Sequence, residues 1–211
     1  MKQLTLFCLS FLATLCSFSQ TRAITSSGDE VILNANGTWS YINKEADNSI
    51  KIDTNKTKFT KSVGASFLVK STKINFGVYI DPKKWLFKKS PSGEASEFEF
   101  ELKDKDAYAL FITEKTEIPL ETLKGIALEN ARSVGPDINI VKEEYRTVNN
   151  NLVLLLQMEG TIQGIKVTYR GYYFSSENGT LQLITYTATN LINEHKDDMD
   201  EFLNGFVLYE K

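Results

Sequence analysis

Four β-prone runs in the second half of the chain, Ile138–Val148, Leu152–Thr161, Ile165–Ser175 and Thr180–Thr189, are separated by only three or four residues each. Parallel neighbours need a crossover of a dozen residues or more, so connections this short make each run the antiparallel partner of the next. The connecting residues suit the task. Asn149-Asn150-Asn151, Gln163-Gly164 and Glu177-Asn178-Gly179 all supply side chains that tolerate positive φ. Residues 152–156 and 181–184 are apolar at successive positions, so both faces of this part of the sheet are expected to be covered.

The segments around this meander complete an α+β pattern. Glu97-Phe98-Glu99-Phe100-Glu101-Leu102 alternates strictly and, with Lys103–Asp106 as turn and Ala107–Thr113 as return, predicts a hairpin. Phe67–Val69 and Ile74–Ile80 are further strands, the second stopped by Asp81-Pro82. Leu120, Leu123, Ala127, Ala131 and Val134 recur at helical spacing between Pro119, suited to the first helical position, and the stop Gly135-Pro136. A second helix is predicted from about Leu191 to Leu203, with Asn204-Gly205 as a left-handed cap. Strands, helix, antiparallel meander and helix in that order define α+β.

The N-terminal quarter reads differently. Lys2, the apolar run Leu4–Leu15 and the small residues Ser17 and Ser19 before Gln20 have the layout of a cleavable signal peptide over residues 1–20. The run is too short to span a bilayer, which takes about 20 apolar residues, and Leu15 does not suit a lipoprotein signal ending at Cys16. The two cysteines, Cys8 and Cys16, both lie in that segment, so the expected mature protein has no disulfide and no thiolate site. It is expected to be periplasmic or secreted. Residues 21–45 predict a small β-meander with an Asn36-Gly37 turn, residues 46–65 a polar linker, and residues 66–211 the main domain. The whole chain carries a net charge of −3, and since Lys2 is the one charged residue in 1–20, the remainder carries −4. A mildly acidic chain lacks the positive field that nucleic acid requires. The cluster Lys83, Lys84, Lys88 and Lys89 reads as a solvated loop and strand edge.

Residues 66–211 resemble the PsbP fold family, named for the extrinsic PsbP subunit of photosystem II and shared by DcrB-type bacterial envelope proteins. The likeness rests on Phe76–Asp81-Pro82-x-x-Trp85, the Phe98–Leu102 strand with Ala107–Thr113, the central helix, the hairpin about Gly164, and the terminal Phe202-Leu203-Asn204-Gly205-Phe206. It implies an antiparallel sheet between helices in a binding or assembly role, and it carries no catalytic motif. The Gly37-Thr38-Trp39 segment resembles one found after the signal peptide of many exported Bacteroidetes proteins.

Candidate chemistry is sparse. His195, the one histidine, falls on the apolar stripe Ile192, Met199, Phe202 and Phe206, where a hydrogen-bonded, partly buried role outweighs that of base or ligand. Glu194, Asp197, Asp198, Asp200 and Glu201 read as a solvated helix face without the glycine-punctuated loop of a calcium site. Glu97, Glu99 and Glu101 are expected on one strand face, a spacing compatible with glycosidic hydrolysis but also what a half-exposed strand must show. Asn36, Asn55 and Asn178 head glycosylation sequons, two of which are also turn Asn-Gly pairs. The aromatic residues Tyr169, Tyr172, Tyr173 and Tyr186 are the candidate ligand-binding residues, able to line an apolar pocket with phenolic hydroxyls. The expectation is an exported, non-catalytic module with an envelope protein or surface partner, and with no metal or cofactor. A carrier of a small apolar ligand is the alternative, and a carboxylate hydrolase a third.

Overall fold

The computed structural model describes residues 21–24, 30–34, 39–41 and 52–209. The chain divides into two compact units, Met1–Ser49 and Ile50–Lys211. The expected signal peptide and the Asn36-Gly37 turn lie outside the described residues.

In the first unit, β1 (Thr21–Ile24), β2 (Glu30–Leu33) and β3 (Trp39–Tyr41) form an antiparallel sheet in that order. Ala23 faces Val31, and Val31 faces Tyr41. Val31 is buried, whereas Leu33 and Trp39 are exposed, as befits a sheet too small to bury both its faces.

The second unit runs β4 (Thr54–Phe59), β5 (Phe67–Lys70), β6 (Phe76–Ile80), β7 (Trp85–Lys89), β8 (Phe98–Leu102), β9 (Ala107–Glu114), α1 (Leu120–Val134), β10 (Asn139–Val148), β11 (Asn151–Ile162), β12 (Ile165–Ser176), β13 (Gly179–Ala188), a one-turn 3-10 helix (Thr189–Leu191), α2 (Ile192–Leu203) and β14 (Phe206–Leu208). An eight-stranded sheet has the order β4-β10-β11-β12-β13-β9-β8-β7. Within it only β4 runs parallel to its neighbour, β10. A three-stranded sheet has the order β14-β6-β5. The predicted meander is present as β10–β13, and its turns place Asn149, Asn150, Gln163 and Gly164 at positive φ.

Alternation along each strand divides the core in two. On one face of the large sheet, Phe100, Ala109, Phe111, Tyr172 and Leu183 meet α2 and the small sheet through Phe202, Leu203, Phe76, Val78 and Phe206. Trp85 packs tilted against Phe202 with ring centroids 4.6 Å apart, and Phe100 meets the same ring at 4.8 Å. On the opposite face, Leu123 and Ala127 of α1 close over Leu154, Leu156 and Tyr173. The layers are therefore α1, the large sheet, and α2 together with the small sheet.

Three expectations are corrected. Residues 54–59, assigned to the 46–65 linker, are an edge strand: Tyr145 N–H donates to Asp53 O at 2.8 Å and Asn149 N–H to Phe59 O at 2.9 Å. Phe59 packs on the main core beneath the Arg146 guanidinium, 4.5 Å from its ring, so one aromatic anchors an otherwise polar strand. The lysine cluster falls as expected on a loop and a strand edge: Lys83 and Lys84 lie in a turn, and Lys88 and Lys89 on β7, the outer strand of the large sheet. Pro119 is the N-cap of α1 rather than its first residue. Asn204 is in the right-handed helical region, so the helix end is not a left-handed cap. Gly205 is needed there for space, because a Cβ would collide with the Tyr79 carbonyl.

Candidate functional site

The four candidate tyrosines do not line one pocket. β12 alternates, so Tyr172 faces α2, and its hydroxyl donates to Asn204 Oδ1 at 2.7 Å and accepts from Arg146 at 3.2 Å. Tyr173 points the other way and is sealed beneath α1, its hydroxyl without a hydrogen-bond partner among the described residues. That burial pushes its phenol pKa far up. Both are fully buried.

Tyr169 and Tyr186 behave differently. They are register partners across β12 and β13, with rings 5.6 Å apart. Tyr186 also pairs with Tyr108 of β9, whose ring stacks on it at 5.4 Å with an interplanar angle of 27°. The three rings form a ladder across three strands on the α1 side of the sheet. Helix α1 packs against β10, β11 and β12, and the ladder leads away from it toward β8 and β7. There Leu86, Lys88, Glu99 and Glu101 join Tyr108 and Tyr186 around a shallow cavity of about 440 Å³. Leu86 is half exposed. Lys88 pairs with Glu99 at 2.9 Å. Burial, neighbouring phenols and the Glu99 carboxylate push the Tyr186 pKa up to about 12, so its hydroxyl stays protonated near neutrality. The site thus offers aromatic faces, phenolic hydroxyls and mixed charge, a set suited to binding.

Tyr108 was missed by sequence reasoning. Its alternation with Ala107, Ala109 and Phe111 puts it on the outer face, but only the β9–β13 register brings it to Tyr186.

The expected shared face of Glu97, Glu99 and Glu101 is not formed. The regular strand begins at Phe98, and Glu97 turns to the small-sheet side. It accepts hydrogen bonds from Ser71 Oγ at 2.6 Å, Thr72 N at 2.8 Å, Thr72 Oγ1 at 2.7 Å and the Thr113 hydroxyl. Burial raises its pKa, but these four donors outweigh burial and hold it below the usual glutamate range. Glu97 is a tie between the β5–β6 turn and the large sheet.

His195 is buried on α2, with no hydrogen-bond partner at Nδ1 among the described residues and the Glu194 carboxylate 3.9 Å away, so the expected hydrogen bond is not formed at that atom. The acidic run is only partly a solvated face. Glu194 and Asp197 are exposed. Asp198 takes Lys84 and Lys105, each at 2.9 Å, and Glu201 takes Lys84. Asp200 receives Arg170 at 2.6 and 3.2 Å. Among the described residues no group of three or more His, Cys, Asp or Glu is placed to hold a metal ion, and no helix is long and apolar enough to cross a membrane.

The arrangement defines an α+β module with a large antiparallel-dominated sheet between one helix and a helix-plus-sheet layer. That architecture is the PsbP-like fold. The chain is similar to cyanobacterial PsbP (CyanoP) from Synechocystis sp. PCC 6803 at TM-score 0.51 and 11% identity, over 70% of this chain and 95% of that one. It is also similar to LpqN of Mycobacterium tuberculosis, a protein involved in cell envelope biogenesis, at TM-score 0.48 and 12% identity over 68% and 90%. A third similar structure is PA94 from Pseudomonas aeruginosa, a protein of unknown function described as a putative regulator, at 0.45 and 13% over 69% and 98%. At these identities the likeness is one of fold. No family model and no curated protein matches the sequence.

Proposed function

We propose that the protein is an exported, non-catalytic binding or assembly module of the bacterial envelope, which engages a protein or surface partner through the part of its large sheet beside α1. The observation that carries this reading is the Tyr169–Tyr186–Tyr108 ladder with its adjoining open cavity. A half-buried row of aromatic rings offers large contact area at small entropic cost, which is why tyrosine dominates binding patches. Export is supported by the signal-like residues 1–20, and a binding role by what the resemblance implies. The locked Glu97 leaves only Glu99 and Glu101 of the three carboxylates together, which weakens the hydrolase alternative. The apolar-carrier alternative keeps Tyr186 and Tyr169 but loses the sealed Tyr172 and Tyr173.

Replacing Tyr108 and Tyr186 together by serine is expected to reduce capture of the partner from its own envelope extract by ~10-fold or more. The melting midpoint should fall by only a few degrees, because both rings are partly solvated. Undiminished capture by the double variant would place the partner surface elsewhere. A bound small molecule released from the wild type in native mass spectrometry, and absent from the variant, would favour the carrier.

A further inference from the structure

The large sheet ends in two edges of opposite character. At β4 the outer strand reads Thr54-Asn55-Lys56-Thr57-Lys58, a polar, lysine-bearing edge of the kind that deters strand addition. At the other end β7 reads Trp85-Leu86-Phe87-Lys88-Lys89, with Leu86 50% and Phe87 42% exposed. Phe67 of β5, itself 46% exposed, lies against Phe87 with ring centroids 5.5 Å apart.

The β7 backbone is also half free. Lys103 N–H donates to Lys84 O, and Ser90 N–H donates to Glu97 O. In an antiparallel ladder hydrogen-bonded residues alternate, so Leu86 and Lys88 complete the series toward β8. The N–H and C=O of Phe87 and Lys89 therefore point outward. Trp85 N–H is occupied by Asp81 O at 2.9 Å.

What β7 takes on its inner side shows what it would take on the outer one. Its inner neighbour β8 alternates Phe98, Phe100 and Leu102 toward the core with Glu99 and Glu101 on the opposite face. Phe87 lies 6.0 Å from Phe100 and 6.2 Å from Phe98, and Lys88 pairs with Glu99. The outer side presents the same Phe87 and Lys88, adds Phe67, and has Lys89 exposed beside them. A second copy of this chain, its β7 antiparallel about Phe87, would set Leu86 opposite Lys88 and bring no carboxylate to Lys88 or Lys89, unlike the Glu99 that β8 supplies on the inner side.

We propose that β7 is a docking edge that accepts an extended segment of a partner protein as an added strand, alternating apolar with acidic residues. This rests on the reading of the protein as a binding module. Apolar residues of the segment cover Phe87 and Phe67, carboxylates reach Lys88, and main-chain bonds go to Phe87 and Lys89.

The test uses a synthetic peptide with this chain's own 96–102 sequence, Ser-Glu-Phe-Glu-Phe-Glu-Leu, and a control with lysine at each glutamate position. Bound peptide should slow amide exchange at Phe87 and Lys89 by ~10-fold or more and leave Leu86 and Lys88, already bonded, unchanged. The lysine peptide should bind ~10-fold more weakly or worse. Lys89→Pro removes one outward donor from an exposed edge residue, so binding should fall ~10-fold while the melting midpoint stays within about 2 degrees. No peptide binding, binding indifferent to Lys89→Pro, or a concentration-dependent dimer that already protects Phe87 would each overturn the proposal. If these tests fail while partner capture still depends on Tyr108 and Tyr186, the docking edge is lost and the binding-module reading stands.

Discussion

Asp200→Ala is expected to destabilise the main domain by about 3 kcal/mol, the cost of leaving a buried charge without its partner. Arg170 is 1% exposed in the middle of the sheet, and Asp200 reaches down from α2 to hold it with two hydrogen bonds. Gln157 Oε1 accepts a third at 3.0 Å, and it cannot replace the lost negative charge. In a domain of this size such a loss lowers the melting midpoint by roughly 6–12 degrees. Joint replacement, Asp200→Leu with Arg170→Met, should recover much of it, since a buried pair exchanged for apolar residues is often neutral. The variant also has a pH signature. Burial raises the Asp200 pKa, but hydrogen bonding and charge from Arg170, then Lys196, outweigh burial and hold it below the ordinary aspartate value. The folded state thus binds that proton more weakly than the unfolded one. Its stabilisation is complete above the unfolded carboxylate pKa, near ~4, and is lost as pH falls through the lower folded value. Acid unfolding of Asp200→Ala, followed by circular dichroism, should be less steep than that of the wild type. An unchanged melting midpoint and acid limb would mean that Arg170 does not depend on this carboxylate.

Truncation from the N-terminus should give a stepped response. A chain starting at Ile50 keeps β4 and is expected to lose about 1 kcal/mol or less. A chain starting at Val63 loses Phe59 from the core and from its place under Arg146, and the β4–β10 ladder with it. It also loses Ile52 from the α1-side cluster and the Ser62 bond to Glu201. A fully buried aromatic is worth roughly 3–5 kcal/mol and Phe59 is only partly buried, so with the lost ladder the second chain should be destabilised by about 2–3 kcal/mol or fail to fold. Urea unfolding of the two chains checks this. Equal stability would return residues 54–59 to the linker.

The parts of this fold that the sequence displayed are those governed by local periodicity. Three long hairpins with Asn149-Asn150-Asn151, Gln163-Gly164 and Asn178-Gly179 at their turns, and the Leu123/Ala127 stripe of α1, are visible without tertiary knowledge. What stayed hidden depends on partners distant in sequence. Residues 54–59 have almost no apolar signal, because an outer edge strand buries little beyond Phe59. β7 lacks alternation, since its lysines and its aromatic residues serve an edge. Arg170 reads as an ordinary strand charge until Asp200 arrives thirty positions later. The candidate site shows the same division. Strand parity by itself sets Tyr169 and Tyr173 on one face and Tyr172 on the other, but that Asn204 meets Tyr172 and α1 seals Tyr173 depends on elements distant in sequence. The turn of Glu97 away from Glu99 and Glu101 follows from Ser71, Thr72 and Thr113, which no strand pattern connects to it.

Photo-crosslinking in the native envelope, with a photoreactive residue placed in turn at Tyr108, at Tyr186 and at Ile126, tests directly whether the tyrosine ladder is the partner surface. Ile126 is an exposed apolar position on α1, which covers the other half of the same sheet side. One common adduct is expected from positions 108 and 186 and none from 126. The same adduct from all three positions, or from 126 alone, would contradict that expectation.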